Sequence, residues 1–295
     1  MSFAMRSRSL SDDRRAASRE PAARESPLES SGPIRFSSLR GRSHAKMLKR
    51  IIKRWLEGGL RVRGYELREL GTPPRGYRAC LEYAKSRGLS PRTVFDVGVG
   101  HGTPWLYDAF PDAKLVLFEP LAVFDGELTK LASRYNADVH RVALAEREGV
   151  AEGFNQNVSL PPSSSLFRLE PRFAQFVEKV HRRHEYMQLP VVLDTLDHLN
   201  AYDPPFMLKL DVEGAETRVL RGARETLRHT DFLITEISVM TRQRGEPEFA
   251  QVISFLDECG FQLFDIPSLS QSGHDGQLVY LDAAFVPKNS ELWPS

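Results

Sequence analysis

Cysteine and long apolar runs are both scarce in this sequence. Its 295 residues include only two cysteines, Cys80 and Cys259, which lie far apart and match no metal-ligand spacing. Their scarcity argues against a disulfide framework or a zinc knuckle, and it is typical of a reducing, cytoplasmic compartment. No stretch reaches the roughly 18 consecutive apolar residues that a membrane-spanning helix requires. We therefore expect a cytoplasmic protein without a transmembrane segment.

The net charge of the chain is also close to zero. The chain carries 40 basic and 39 acidic side chains, which leaves a formal net charge of +1. Such a balance produces no overall field that would attract nucleic acid or an acidic membrane, so we expect no nucleic-acid partner. A local charged patch is compatible with this balance, and the composition does not indicate an oligomeric state.

The N-terminal 45 residues contain almost no large apolar side chains and are rich in Ser and Arg. Such a segment buries too little surface to offset the entropy of ordering, which predicts a disordered extension over residues 1–45. Residues 46–92 are predicted to form a helical lead-in to a domain at 93–290. The first predicted helix of this lead-in, Lys46–Leu60, has an apolar face and a basic face. Two interpretations stay open: weak peripheral contact with a membrane or an acidic partner, or ordinary packing of an amphipathic helix.

The rest of the chain is organised around the stretch Thr93–Gly102. It opens with a β-branched and aromatic run that predicts a buried strand. It ends with glycines at alternate positions, and helical residues follow. A strand, a glycine turn and a helix in this order present free N–H groups and the helix dipole to a ligand in the turn. The alternative is a turn that only packs a helix on a sheet. The turn residues are Gly98, Val99, Gly100 and Gly102.

Two acidic residues accompany the turn. Asp96 precedes it within the first strand, and Glu119 ends the second predicted strand, Lys114–Phe118, just before Pro120. An acid roughly 20 positions after a glycine turn, at the end of the next strand, is placed to hydrogen-bond ribose hydroxyls. NAD sites typically have Gly-x-Gly-x-x-Gly and an apolar residue in place of Asp96. The Gly-x-Gly-x-Gly spacing found here disfavours a NAD-dependent oxidoreductase, and the pattern resembles S-adenosylmethionine (SAM)-dependent methyltransferases more closely.

Strands and helices alternate along the remainder of the chain, which predicts βαβ units and a parallel sheet. A third strand at 137–142 leads into Ala143. The polar loop at 145–168 is predicted to be either functional or mobile. We expect the helix that follows, Glu170–His184, to be an insertion over the site, with ordinary packing as an equal alternative. A single helix to about Arg228 follows the central strand. The later strands are predicted at Val191–Leu193, Phe206–Leu210 (the central strand), Phe232–Ile237, Phe261–Ile266 and Leu278–Val286.

Three motifs together resemble the FkbM family of SAM-dependent methyltransferases. They are Asp-Val-Gly-Val-Gly-His-Gly at 96–102, Phe-Glu-Pro at 118–120 and Lys-Leu-Asp-Val-Glu-Gly-Ala-Glu at 209–216. The resemblance covers residues 93–286. It implies an α/β fold of the class I methyltransferase (Rossmann-like) type, with a seven-stranded, mainly parallel sheet, helices on both faces and an antiparallel last strand. One departure is that the family commonly has Ala-Asn after the first glycine, where this chain has Val99-Gly100 followed by His101.

The resemblance also implies SAM as the cofactor and a hydroxyl group as the methyl acceptor. The implied acceptor is a sugar in a glycan or glycolipid, or a hydroxylated natural product. A non-catalytic SAM-binding or partner-binding module of the same fold is the alternative. The cofactor-binding residues that the pattern implies are Asp96, Gly98, Val99, Gly100, Gly102, Glu119, Pro120, Ala143 and Asp211.

A sugar hydroxyl is a weak acid, so its methylation requires a general base or a metal ion that lowers the hydroxyl pKa. Asp211 and Glu213 follow the central strand Phe206–Leu210, at the edge where open α/β sheets place their ligands. Either is a candidate catalytic base, and together they are a candidate Mg²⁺ site; the alternative is that they cap the following helix. His101 is a second candidate base because imidazole titrates near neutrality, and Glu236 is a weaker one.

Overall fold

The computed structural model describes residues 74–180, 185–272 and 276–293, all within the unit Leu70–Ser295. The predicted disordered extension and the predicted helix with a basic face lie outside the described residues, so both stay predictions.

The described residues form ten strands and eight α-helices, which alternate through most of the chain. The strands are β1 (Thr93–Val97), β2 (Lys114–Phe118), β3 (Asp138–His140), β4 (Ala143–Leu144), β5 (Gly149–Asn157), β6 (Tyr186–Asp194), β7 (Phe206–Leu210), β8 (Thr230–Ser238), β9 (Phe261–Gln271) and β10 (Leu278–Pro287). The helices are α1 (Tyr77–Ser86), α2 (Pro104–Tyr107), α3 (Asp125–Tyr135), α4 (Pro171–Val180), α5 (Leu196–Leu199), α6 (Glu216–Arg221), α7 (Arg224–Leu227) and α8 (Phe249–Glu258).

Seven of these strands form the main sheet, in the order β3-β2-β1-β7-β8-β10-β9. β10 runs antiparallel to both of its neighbours, β8 and β9, and the other adjacent pairs are parallel. The direction of winding reverses between β1 and β7, and ligands of open α/β sheets bind at the carboxyl ends of the strands at such a reversal. The predicted seven-stranded, mainly parallel fold with an antiparallel last strand is confirmed.

Helices cover both faces of the main sheet, and successive strand residues pack into different hydrophobic clusters. Leu117 and Met207 belong to the cluster that contains α1, whereas Phe118 and Leu208 belong to the cluster formed with α6 and α8. Every residue of β1 and of β7 is buried. Because both faces are covered, a polar side chain in either strand needs a partner inside the protein.

The segment between β3 and β7 forms a second sheet of three strands, in the order β4-β6-β5. The prediction of a polar loop at 145–168 is wrong for Gly149–Asn157, which forms β5, and β6 is longer than the strand predicted there. The sequence of β5 has no regular apolar alternation. The strand forms because it pairs with β6 in the antiparallel direction. Phe154 and Val191 are buried in the core shared with the main sheet. Pairing with a distant strand therefore outweighs a weak local signal.

The single helix predicted after β7 is divided into α6 and α7 at Gly222. A Cβ atom at Gly222 would lie 2.1 Å from the carbonyl oxygen of Ala145. The backbone that follows β4 therefore packs directly on this break, which only a glycine permits.

The described part of the predicted helical lead-in packs with the methyltransferase-type domain. Cys80, Leu81 and Ala84 of α1 are buried in the main core, and the N–H of Gly76 donates to the carbonyl of Pro267 at 3.1 Å. Among the described helices, none is long and apolar enough to cross a membrane.

Candidate cofactor and active site

The glycine turn after β1 lies directly against the end of β7. Gly98, Gly100 and Gly102 have φ angles of 79°, 53° and 97°, which residues with side chains rarely adopt. A Cβ atom at Gly98 would lie 1.9 Å from the carbonyl oxygen of Asp211. The N–H of Asp211 also donates to the carbonyl of Val97 at 3.0 Å. The two predicted halves of the site, the turn and the acids after the central strand, are therefore adjacent.

Glu119 lies at the end of β2 with its carboxylate against the turn. Oε2 accepts a hydrogen bond from the N–H of Gly100 at 2.9 Å, and Oε1 accepts one from the N–H of Leu121 at 3.0 Å. Burial raises the pKa of Glu119, although these two N–H groups oppose the shift. A carboxylate oxygen accepts more than one hydrogen bond, so Glu119 keeps capacity for ribose hydroxyls. The roles of Glu119 and the adjacent Pro120 in cofactor binding stay predictions.

Asp96 is fully buried within β1. The hydroxyl of Tyr107, in α2, donates to Oδ2 at 2.5 Å, and Nζ of Lys209 lies 3.1 Å from Oδ1. Burial and the negative charge of Asp96 raise the pKa of Tyr107, so this hydroxyl stays a donor. Both oxygens of Asp96 thus face protein groups. The geometry supports a role for Asp96 in holding the turn from within rather than in contacting a cofactor directly.

Two other predicted cofactor residues are packed in hydrophobic surroundings. Val99 belongs to the core around α1, and Ala143 is buried in β4, where it pairs with Leu193 of β6. Neither side chain offers a polar group, so each would contribute only apolar contact or its backbone. Their cofactor roles stay predictions.

Asp211 is the more exposed of the two acids that follow β7. A quarter of its side chain, 25%, is exposed, and Oδ2 lies 3.4 Å from Nζ of Lys209. Burial alone would raise the pKa of Asp211, but the ammonium group of Lys209 outweighs it and holds the pKa below its ordinary value. Asp211 is therefore an ionised carboxylate at neutral pH, next to the glycine turn.

Glu213 has a left-handed backbone with a φ of 53°, which is uncommon for a residue with a side chain. Two contacts hold it: NH1 of Arg242 donates to Oε2 at 2.9 Å, and the hydroxyl of Ser165 donates to the backbone carbonyl at 2.7 Å. Arg242 also donates to the carboxylate of Glu236 and, through Nε, to Ser238 at 3.0 Å. Burial raises the pKa of Glu213 and of Glu236, against the effect of Arg242. Strained residues held in this way are concentrated at functional sites.

Glu216 is the first residue of α6, and its side chain binds the turn that precedes this helix; the N-cap residue, Ala215, makes no side-chain cap hydrogen bond. Oε1 of Glu216 accepts hydrogen bonds from the N–H groups of Val212 and Gly214, each at 3.2 Å. Burial raises the pKa of Glu216 to about 7, although these N–H groups oppose the shift. Glu216 therefore orders the backbone between β7 and α6, and the capping role that was the alternative for Asp211 and Glu213 stays a prediction.

His101 contacts residues of α3 and the turn before it. Its side chain is 56% exposed, and Nδ1 lies 3.7 Å from Oε1 of Glu127. The imidazole meets the ring of Phe124 edge to face, with 5.2 Å between centroids. The structure brings Asp211, Glu213 and Glu236 into one electrostatic cluster, and the contacts described for His101 do not join it to them.

The loop before α4 contacts both the glycine turn and this cluster, whereas the position of α4 over the site stays a prediction. A Cβ atom at Gly100 would meet Cβ of Pro162 at 3.8 Å, and Ser165 bonds to Glu213 as described above. The N–H of Glu170 donates to the carbonyl of Arg242 at 2.8 Å, immediately before α4 begins. The loop after β8 and the loop before α4 thus meet at the carboxyl end of the sheet.

Sequence reasoning misses the two cations of the site. Lys209 occupies a buried strand position two residues before Asp211, and a charged residue inside an otherwise apolar strand is a signal that could have identified it. Arg242 lies in the loop after β8 and reaches Glu213 only through tertiary structure. No local pattern around Arg242 indicates its role.

The predicted Mg²⁺ site finds no preformed cluster at Asp211 and Glu213. Among the described residues, the group of three side chains with metal-ligand spacing is formed by Glu148, Asp194 and His198, near the surface and outside the acidic cluster. The carboxylates of Asp211 and Glu213 instead lie beside ammonium and guanidinium groups, whose charge opposes cation binding. Metal dependence stays a prediction.

Several solved methyltransferases resemble this chain in fold. The 1,6-didemethyltoxoflavin-N1-methyltransferase of Burkholderia thailandensis, solved with 1,6-didemethyltoxoflavin and S-adenosylhomocysteine, is 11% identical over 87% of this chain and 94% of its own, with a TM-score of 0.39. An rRNA methylase from Streptococcus thermophilus is 12% identical over 71% and 94%, with a TM-score of 0.38. Fibrillarin from Aeropyrum pernix, solved with SAM, is 16% identical over 69% and 73%, with a TM-score of 0.35. Similarity this distant gives no information about the acceptor of this chain.

The family comparison covers more than half of the chain. The methyltransferase FkbM domain matches residues 96–263, from the glycine turn through the acids after β7 to the start of β9. No curated protein matches the chain in sequence. The motifs quoted above all fall in or at the edge of the matched range, and the chain belongs to the FkbM family of methyltransferases.

Proposed function

We propose that this protein is a SAM-dependent O-methyltransferase. Its acceptor is a hydroxyl group of a sugar, in a glycan or glycolipid, or of a hydroxylated natural product. The observation that carries the proposal is the contact between the glycine turn and the end of β7, where an ionised Asp211 lies beside Gly98. This contact supports the proposal, because a methyl donor bound in the turn would lie next to a candidate base for the acceptor.

The cofactor would be held by backbone and carboxylate groups. Glu119 has free acceptor capacity for the two ribose hydroxyls, and the turn at Gly98–Gly102 has no side chains that would keep the methionine end away. With the methionine end bound over the turn, the carboxylate of Asp211 would favour the positively charged sulfonium of SAM over the uncharged thioether of its product.

The reaction is an in-line displacement, in which the protein supplies position and a proton acceptor. When bound, SAM would supply the methyl group: an oxygen lone pair of the acceptor would form the new bond to carbon, and the electron pair of the broken carbon–sulfur bond would stay on sulfur. The hydroxyl proton passes to Asp211, our first candidate base. Glu213 is the second candidate, because its pKa is raised and Arg242 fixes its position. His101 and Glu236 rank below them.

An experiment with two readouts tests this proposal. Calorimetric titration with S-adenosylhomocysteine measures cofactor binding. Incubation with SAM carrying a tritiated methyl group, together with a panel of glycans, glycolipids, polyketides and RNA, measures transfer. Label in a glycan, glycolipid or polyketide supports the proposal, whereas label in RNA contradicts it. Binding without transfer to any acceptor supports the non-catalytic module instead.

A further inference from the structure

Lys209 is a buried ammonium group with no assigned role in the reaction described above. It lies in β7, where Asp96 of β1 is its direct register partner. Its side chain is 9% exposed. Nζ lies 3.1 Å from Oδ1 of Asp96, 3.4 Å from Oδ2 of Asp211 and 3.5 Å from the carbonyl oxygen of Gly98. One side chain thus contacts the strand before the turn, the turn itself and the acid after β7.

Acidic groups from four parts of the fold interact electrostatically with this ammonium, two of them in direct contact. They are Asp96 in β1, Glu119 after β2, Asp211 after β7 and Asp282 in β10. Three of these acids have other hydrogen-bond partners as well. Tyr107 donates to Asp96, and Tyr77 donates to Asp282 at 2.5 Å. The N–H groups of Gly100 and Leu121 donate to Glu119. For Lys209, burial favours the neutral amine, but the acids outweigh it and raise the pKa above its ordinary value. Lys209 is therefore a permanent cation and not a base.

Removal of this cation would affect both halves of the site. Asp96 is fully buried, and without Lys209 its charge would be left without a counter-charge, at a cost of several kcal/mol unless it takes up a proton. Asp211 would lose its ion pair with Lys209, and Gly98 would lose a donor to its carbonyl. A residue with only a packing role would leave the ionisation of Asp211 unchanged.

We propose that Lys209 is a positioning residue that holds the glycine turn and Asp211 in a fixed relation to each other. It acts through Gly98 and the two carboxylates, without touching the substrate. This inference rests on the proposed function, because it assumes that the turn binds the cofactor and that Asp211 faces the acceptor.

The first test measures the ionisation of Asp211 in the protein without added cofactor. Carboxyl ¹³C NMR follows the titration of aspartates, and the Asp211 signal is assigned with Asp211→Asn. In Lys209→Met the Asp211 pKa should rise by about one unit or more, and Lys209→Arg should restore most of the difference. An Asp211 titration that is the same in Lys209→Met and in the wild type would overturn the proposal.

The second test measures S-adenosylhomocysteine binding by calorimetry in two buffers of different ionisation enthalpy. Lys209→Met should weaken binding about tenfold or more and couple it to proton uptake, because a buried carboxylate must become neutral. Lys209→Met combined with Asp96→Asn should bind without proton uptake, since the unpaired charge is gone, but still more weakly than the wild type, because Gly98 and Asp211 have lost their contacts with Lys209. Wild-type affinity without proton uptake in Lys209→Met contradicts the proposal.

A matched control and a second variant keep the tests decisive. Lys114→Met removes another ammonium group from a strand, one that pairs with Asp138 at 2.6 Å outside the site, and it should change neither readout. If Lys209→Met does not fold, the double variant, with the buried pair replaced by neutral groups, carries both measurements. A wild-type protein that does not bind S-adenosylhomocysteine would sink the proposed function, while the Asp211 titration still decides the role of Lys209.

Discussion

The carboxylate of Glu119, at the end of β2, accepts a hydrogen bond from the N–H of Gly100 in the glycine turn at 2.9 Å. The acid at the end of β2 therefore orders the turn. In our proposal the same carboxylate also binds the ribose, so a substitution at Glu119 should affect both functions.

Substitution of Glu119 should weaken cofactor binding. Glu119→Ala removes the acceptor of the Gly100 and Leu121 N–H groups and of the ribose hydroxyls, which should cost on the order of 1–3 kcal/mol and lower the S-adenosylhomocysteine affinity tenfold or more. Calorimetric titration measures the change. Glu152→Gln, at an exposed position of β5, is the control and should bind as the wild type does. Undiminished affinity in Glu119→Ala would show that the ribose lies elsewhere.

The tightest backbone contact of the site predicts the effect of Gly98→Ala. The φ of 79° and the approach to Asp211 leave no space for a Cβ atom, so this variant should lose about 1–3 kcal/mol of unfolding free energy or more, together with cofactor binding. Urea unfolding measures the loss. Gly126→Ala in α3 is the matched control: nothing lies within 4 Å of its Cβ position, and it should be neutral or slightly stabilising.

Asp211→Asn should separate catalysis from cofactor binding. The amide keeps the shape of the side chain but cannot accept the hydroxyl proton, so turnover on an identified acceptor should fall by roughly 10²–10⁴ while the S-adenosylhomocysteine affinity changes little. His101→Gln is the comparison, and it should retain most of the turnover. Normal turnover in Asp211→Asn would transfer the role of base to Glu213 or His101.

The role of a divalent cation is a separate question with its own measurement. Treatment of the wild type with a chelator should leave methyl transfer unchanged if Asp211 acts as a base beside Lys209. A loss of activity that excess Mg²⁺ restores would instead support the predicted metal site at Asp211 and Glu213.

Glu216 predicts a pH dependence of stability. Its pKa in the folded protein is about 7, above the ordinary value of 4.5, so the folded state binds a proton more tightly than the unfolded chain does. The free energy of unfolding should therefore fall as the pH rises from about 4.5 to 7, by at most roughly 3 kcal/mol from this group, and stay level above that range.

The variant Glu216→Gln isolates this contribution, because the amide oxygen still accepts from the N–H groups of Val212 and Gly214. Urea unfolding at pH 5 and pH 8 should show a smaller difference in the variant than in the wild type. Glu225→Gln, at an exposed position of α7, should keep the wild-type difference. A wild-type difference that Glu216→Gln leaves unchanged would assign the pH dependence to another group.

The sequence by itself determined the order of the elements and the place of the site. Alternating apolar strands and helices, a glycine turn after β1 and an acid after β2 are local patterns, because strand period, left-handed turn conformations and βα connections depend on near neighbours in the chain. The family motifs added the class of fold, which the order of the strands confirms. Local patterns do not, however, specify which side chain neutralises which.

Only the tertiary structure decided the partners of the acids. The sequence predicts that Asp96 binds the cofactor. Because β1 and β7 are adjacent in the sheet, the carboxylate of Asp96 lies against Lys209 in the interior. Arg242 bonds to Glu213 from 29 positions away. The strand β5 likewise exists only through its pairing with β6. Each of these arrangements joins residues that are distant in sequence, and the low dielectric of the interior makes such charge pairs decisive for what each carboxylate can do.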